Sequence, residues 1–513
     1  MTCVIFTDTF RLAKKYGESK GCVTEIIGHN LLHREDCDFQ LLDAADYAAE
    51  LSELPGWKGY KAILLDFFLG MGIEHSPLTS LFIIGGEDVI PMPQIDSPIN
   101  EGEMLDADFA YCFQEDDPIE LDVDAAICNV GRLPMENGQM PSTLKDDLQS
   151  YFNLVSMFME SGFPLGNVVM TTTESWLPAS KEMMRDLPVA KPKPIYGVTH
   201  EDMYVSPSLS CDCNDVRALL QYKRDLERAD MLVFNLHGAD APNYSSFYGE
   251  GATGHNTPEA FTIESIRNIG ARVFNTVACF GARYVGYNRT ESMLLSAMYG
   301  GGVLLYTGSC VSALGRSGQI HSLSHDILVP TGMSESLMKL YCHYLVNGMP
   351  AGFALLKAKC DYFNTCRSLD GDECALATVL MFNLYGLPVL KSTCEKVKML
   401  SGNLSRPLPC LRSEFGSATT LFDKSSSSNG LLSHVRSLVD ANLQKIKSTV
   451  SSHLYQYWGL NPDNMEKVER LTYPSGNIRY RFVYSQRNGK VKAKNWAITD
   501  VSGVVKDVIH FKG

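Results

Sequence analysis

Apolar positions along the chain fall into short runs, separated by longer stretches with helical spacing. The runs are Ala62-Ile-Leu-Leu65, Leu81-Phe-Ile-Ile84, Ala125-Ala-Ile-Cys128, Asn167-Val-Val-Met170, Met231-Leu-Val-Phe-Asn-Leu236, Arg272-Val-Phe-Asn-Thr-Val277 and Gly302-Val-Leu-Leu-Tyr306. Continuous rather than alternating apolarity predicts strands covered on both faces, as in a parallel sheet between helices. Helices fit from Ser142 to Glu160, from Thr262 to Ile269 and from Glu291 to Tyr299. The expectation is an α/β fold with open, mainly parallel sheets.

The pattern changes after about residue 395. Ser425 to Gly430 is a run of small polar residues and reads as a linker, and a helix is expected from about Leu431 to Val450. Beyond it, Tyr473-Pro-Ser-Gly-Asn477 and Arg487-Asn-Gly489 are turn signals between alternating strands, which predicts a β-meander. The organisation read from this is an N-terminal α/β subdomain over residues 1–160, a second α/β subdomain over 161–395, a linker over 396–430 and a small helix-plus-meander domain over 431–513.

Composition narrows the function classes. Of 513 residues, 45% are apolar and 20% charged, as in ordinary globular proteins. A net charge of −14 argues against general nucleic-acid binding, which needs clustered Lys and Arg. From Glu466 onward there are ten Lys/Arg against four Asp/Glu, so the tail is basic, either as a solvated strand face or as a docking module. No window reaches the ~18 apolar residues of a membrane helix, and the first residues lack a secretory pattern. The 15 cysteines follow no framework spacing, which fits a reducing compartment. The expectation is a cytoplasmic protein without a membrane partner.

Two strand ends carry complementary chemistry. One apolar run ends in His237-Gly238 and another in Ala278-Cys279. In an α/β sheet the reactive groups collect at the carboxyl ends of strands, so neighbouring strands would bring imidazole and thiol side by side. A thiol of pKa near 8.5 is about a few per cent thiolate at neutral pH and needs such a base. The Gly238 and Cys279 N–H groups are candidates for an oxyanion hole.

An apolar block ending in His-Gly, followed by one ending in Ala-Cys, resembles the clan CD cysteine peptidases, and within them the gingipain-like family. Further segments carry the resemblance: Phe82-Ile-Ile-Gly-Gly86 through Val89-Ile-Pro91, Asp108-Phe-Ala-Tyr111, Val130-Gly-Arg-Leu-Pro134 and Met381-Phe-Asn-Leu-Tyr-Gly-Leu-Pro388. The resemblance covers roughly residues 60 to 395, with Leu387 standing where the family has Asp. The resemblance implies a caspase-like fold, catalysis by His237 and Cys279 without a cofactor, and a polypeptide substrate. It also implies that Asp108 lines the primary pocket and pairs with a basic side chain, favouring cleavage after Arg or Lys. Glu87 or Asp88 is the expected third acid orienting His237. A protein activator or inhibitor is a further expected partner.

Other groupings carry less. His29, His33 and Cys37 fall at four-residue steps, as do His321 and His325, but neither set completes a zinc site, so no metal is expected. Cys211-Asp-Cys213 is too tight for a zinc spacer. The acids around Asp106, Asp116 and Asp117 lack the spacing of a calcium loop. Gly300-Gly-Gly302 precedes a strand and lacks the lysine of a phosphate loop, so it reads as a turn, whereas Gly308 to Gly315 reads as a wall of a substrate cleft. The alternative to an enzyme is a caspase-like scaffold or regulatory module, and a nucleotide-binding protein ranks behind both.

Overall fold

The computed structural model describes residues 1–73, 76–115, 122–138, 140–173, 176–184, 204–206, 216–239, 245–250, 257, 259–316, 333–393, 417–423, 465–472, 478–488, 491–500 and 505–511. In chain order the first strands are β1 (Thr2–Thr7), β2 (Asp38–Asp43), β3 (Ser80–Ile84), β4 (Gln94–Asp96), β5 (Met104–Asp106), β6 (Asn129–Leu133), β7 (Val168–Thr173), β8 (Tyr204–Ser206), β9 (Met231–Asn235) and β10 (Ser246–Tyr248). They continue as β11 (Glu259–Thr262), β12 (Val273–Thr276), β13 (Leu305–Ser309), β14 (Leu314–Arg316), β15 (Phe382–Tyr385), β16 (Ser417–Asp423), β17 (Met465–Thr472), β18 (Ile478–Asn488), β19 (Val491–Asp500) and β20 (Val505–Phe511).

Ten strands form one helix-flanked sheet in the order β2-β1-β3-β6-β15-β13-β12-β9-β7-β8. Every neighbouring pair is parallel except β13 with β15. The α/β fold with mainly parallel strands is therefore as the apolar runs predict. Strands β3, β9 and β13 are buried at every residue, because helices cover both faces. The strands from residues 1–160 lie together at one side, and β15 joins them to the strands from 161–395. The single antiparallel step means that the two halves run in opposite directions. Their carboxyl ends consequently emerge at opposite edges of the sheet.

Two predicted strands are displaced. Ala62 to Leu65 belongs to a helix, Trp57–Gly70, whose buried Tyr60, Ile63, Leu64 and Phe68 recur at helical spacing. A short apolar run cannot by itself distinguish a buried helix from a strand. Ala125 to Cys128 leads into β6 rather than forming it, since Val123–Ala125 is a 3-10 turn. The expected helix from Ser142 splits into a π-turn, Lys145–Gln149, and an α-helix, Ser150–Ser156.

A second sheet has the order β14-β20-β19-β18-β17-β16, with antiparallel pairing throughout. The expected meander is present from β17 to β20, and β18 and β19 pair up to Asn488↔Val491 beside the predicted Asn-Gly turn. Within the expected linker, residues 417–423 form β16, so that part of the reading is corrected: alternate Ala418, Thr420 and Phe422 suit a strand, and β17 pairs along its length. Ser425 to Gly430, the expected helix from Leu431, His321, His325, Cys211, Cys213, Asp116 and Asp117 lie outside the described residues. The unexpected member is β14, which comes from the 161–395 half and sits at the edge of the C-terminal sheet.

Candidate active site

Strands β9 and β12 are parallel neighbours with Met231 opposite Val273 and Phe234 opposite Thr276. Their contact is packed by Phe234 edge-on to Phe274, with centroids 5.0 Å apart. The Val277 N–H donates to the Phe234 carbonyl at 2.9 Å, so the register continues past the strand ends. Carried on, it sets Cys279 opposite His237 at one carboxyl edge. The backbones stay in contact there: a Cβ on Gly238 would lie 1.6 Å from the Cys279 carbonyl oxygen. Only glycine fits that position.

His237 is held on three sides. Its N–H donates to the Tyr248 carbonyl at 2.9 Å and its carbonyl accepts from the Tyr248 N–H at 2.8 Å, which ties it to the end of β10. The Trp176 ring lies against the imidazole with centroids 4.3 Å apart. Nε2 is 3.2 Å from the Glu250 carboxylate. An acid behind an imidazole fixes its orientation and stabilises the imidazolium that forms when it takes a proton.

Cys279 is followed by the only non-glycine residue with positive φ among the described residues, Phe280 at 54°. Such a conformation persists only where its surroundings over-determine it. Here the Phe280 N–H donates to Val311 and the Ala282 N–H to Ser309, each at 2.8 Å, lacing the turn to the segment after β13. The same segment reaches the thiol: the Ala313 N–H donates to Cys279 Sγ at 3.0 Å, an interaction that a thiolate strengthens. The Sγ also lies 3.7 Å from the Ala313 carbonyl. Cys279 is 1% exposed and His237 5%. The stretch from Gly308 to Gly315 thus packs directly on Cys279.

Three expected site residues face other partners. Asp108 is buried, and both carboxylate oxygens accept from Arg132, at 2.7 Å from Nε and 2.7 Å from Nη2. The basic partner expected from a substrate is supplied by the chain itself. Arg132 Nη1 is also satisfied, by the Gly85 carbonyl at 3.0 Å and the Ile90 carbonyl at 2.8 Å. Asp88 pairs with Lys15 at 2.6 Å. Glu87 accepts from the Met92 N–H, and burial pushes its carboxyl up to about 7. Because β3 runs against β9 and β12, the residues that follow it leave the sheet at the edge opposite to Cys279. The acid that faces His237 is Glu250, which the sequence reading missed, as it missed Trp176.

From the Asp106–Asp108 segment, Asp106 reaches the turn after Cys279: it pairs with Arg283 at 3.0 Å and accepts from Gln94. Burial raises its carboxyl above the usual range, against the lowering effect of Arg283. Among the described residues no cluster of His, Cys, Asp or Glu is arranged to hold a metal, and no helix is long and apolar enough to cross a membrane.

The Glu250→Gln variant isolates the effect of that charge. It keeps the shape of the side chain, and is expected to lower the rate of Cys279 acylation by about 10²-fold with KM little changed. A shifted pH profile of iodoacetamide alkylation at Cys279 should accompany it. A native profile with native rate would show that Glu250 only fills space.

No protein-family model matches the chain, and no curated protein matches it. Among solved structures, one described as "Structure of Protease" aligns over 100% of this chain and 97% of its own, at 11% identity and a TM-score of 0.47. That similarity is too low to bear on chemistry, which rests on the site's own geometry.

Proposed function

We propose that this chain is a cysteine endopeptidase in which Cys279 is the nucleophile and His237 its acid–base partner. The observation that supports it best is the pairing of β9 with β12, which delivers His237 and Cys279 to one sheet edge with Glu250 behind the imidazole. In the proposed cycle His237 takes the thiol proton and Sγ bonds to a peptide carbonyl carbon. The oxyanion is received by backbone N–H groups of Gly238 and Cys279. The imidazolium then protonates the amine as the C–N bond breaks, leaving a thioester. Water, deprotonated by His237, releases the carboxylic acid and restores the thiol. The chemistry calls for no cofactor.

Cleavage after Arg or Lys, as expected from Asp108, has lost its carboxylate to Arg132, so the preference has to be read from the assay. The second reading is a caspase-like scaffold, favoured by one observation: Cys279 is 1% exposed. A peptidyl acyloxymethyl ketone separates the two, combined with hydrolysis of fluorogenic peptides ending in Arg, Lys, Asp or Leu. The expected result is one adduct, mapped to Cys279, and turnover of at least one peptide. An adduct confined to the partly exposed Cys22, with Cys279 no more reactive than the buried Cys310 and no peptide cut, would favour the scaffold.

A further inference from the structure

The nucleophile is sealed as it stands, and the structure shows what holds the seal. An attacking sulfur needs a carbonyl carbon at about 3–3.5 Å, which requires open space in front of it. In front of Cys279 Sγ stand the Ala313 N–H at 3.0 Å and the Ala313 carbonyl at 3.7 Å, and Ala313 is itself fully buried. The chain does not end its constraint there. Its next residues, Leu314–Arg316, are β14, which leaves the catalytic half and pairs antiparallel with β20: Leu314 opposite Phe511, Gly315 opposite His510 and Arg316 opposite Ile509. On its other side β20 is bonded along β19, from Asn495↔His510 to Thr499↔Val505. The position of the residue against the nucleophile is thus set by the last strand of the C-terminal sheet.

We propose that β20 is an intramolecular clasp, which keeps Ala313 closed over Cys279 until an extended polypeptide replaces it on β14. The partner is specified by backbone chemistry. The β14 edge offers N–H and carbonyl groups, and any extended segment able to form an antiparallel ladder can compete for them. Exchange is feasible because β14 lies at the edge of its sheet, and such edges open locally without global unfolding. Release reaches only Ser312 and Ala313: Ser309 and Val311 stay laced to the turn after Cys279 independently of β20, so the main sheet is unaffected. This regulation rests on the peptidase reading of Cys279, and the test keeps the two apart.

The test uses the full chain with His510→Pro. Proline removes an N–H from the strand interior between β14 and β19 and does not fit there. Two readouts are taken: iodoacetamide alkylation of Cys279 by peptide mass, and hydrogen exchange over residues 305–316. The expected result is lost protection at Leu314–Arg316 and alkylation of Cys279 faster by about tenfold or more, the change produced by opening a local equilibrium. Wider melting of the C-terminal sheet would release β14 in the same way, so it does not confuse the outcome. Thr420→Pro, in β16 at the far edge of that sheet, should leave Cys279 labelling as in the native protein. Lost protection with unchanged or slower alkylation would overturn the clasp, and so would persistent protection at Leu314–Arg316. Alkylation reports access whether or not peptide is hydrolysed. Faster labelling with no turnover in either form would refute the peptidase reading and leave the clasp standing.

Discussion

Replacing Asp108 with alanine is expected to destabilise the protein by about 3–5 kcal/mol, the loss typical of removing one member of a buried ion pair. The reason lies with the residue left behind. Arg132 is 0% exposed and its guanidinium has two carbonyls and one carboxylate around it. Without the carboxylate it is a buried cation with no counter-charge. Against a typical stability of about 5–15 kcal/mol, the loss would show as poor soluble yield and an earlier urea midpoint. A specificity residue behaves differently: its alanine variant folds normally and loses only turnover of basic substrates. A native midpoint with selective loss on Arg and Lys peptides would therefore restore the pocket reading. The double variant Asp108→Leu, Arg132→Met is the control, because replacing both charges by apolar groups of similar volume is near neutral compared with breaking the pair.

Gly238→Ala should abolish activity while leaving the rest of the fold in place. A Cβ there would sit 1.6 Å from the Cys279 carbonyl oxygen and 2.6 Å from its carbon. Both obstacles are backbone, so no rotamer change relieves them and the ends of β9 and β12 must part by more than about 1 Å. A misplacement of about that size costs about 10²-fold where reacting groups must be aligned. The loss expected is larger, because the same shift displaces the imidazole, the thiol and both oxyanion donors. Gly300→Ala is the matched control, with nothing near its Cβ position and no positive φ. The measurement is kcat/KM on any peptide that the native protein cleaves, with the thermal transition recorded alongside. Activity within tenfold of native would mean that the two strand ends are not the reacting pair.

The strands of the candidate site were legible because they are fully buried. Met231 to Leu236 and Val273 to Val277 are mainly apolar runs, broken only by Asn235, Asn275 and Thr276, and His237 and Cys279 stand out just past their ends. What was illegible depends on returns of the chain. Glu250 reaches His237 only because β10 bonds back to the His237 backbone, and a glutamate between glycines carries no mark of that. Arg132 was visible in the Val-Gly-Arg-Leu-Pro segment, but its pairing with Asp108 depends on how the 3-10 turn Asp108–Cys112 packs on β6, which no local pattern encodes. The direction of β3 relative to β9 was hidden for the same reason. That direction is why Glu87 and Asp88, the acids expected to orient His237, follow a strand that ends at the other edge. The segment Leu314–Arg316 reads equally well as a loop wall, and only the distant β20 makes it a strand.

The position of β15 has a consequence for how the protein is made. β6 is covered on one side by β3 and on the other by β15, yet it is finished at Leu133 whereas β15 begins at Phe382. At a synthesis rate of ~5–20 residues per second, the roughly 250 intervening residues take on the order of 10–50 s to emerge. For that interval the nascent first half presents a bare strand edge with unpaired N–H and carbonyl groups, the kind of surface that recruits wrong partners. The second half then has to complete the first rather than fold beside it. Chaperone dependence in the cell should accordingly concentrate on nascent chains that have passed β6 and not yet reached β15.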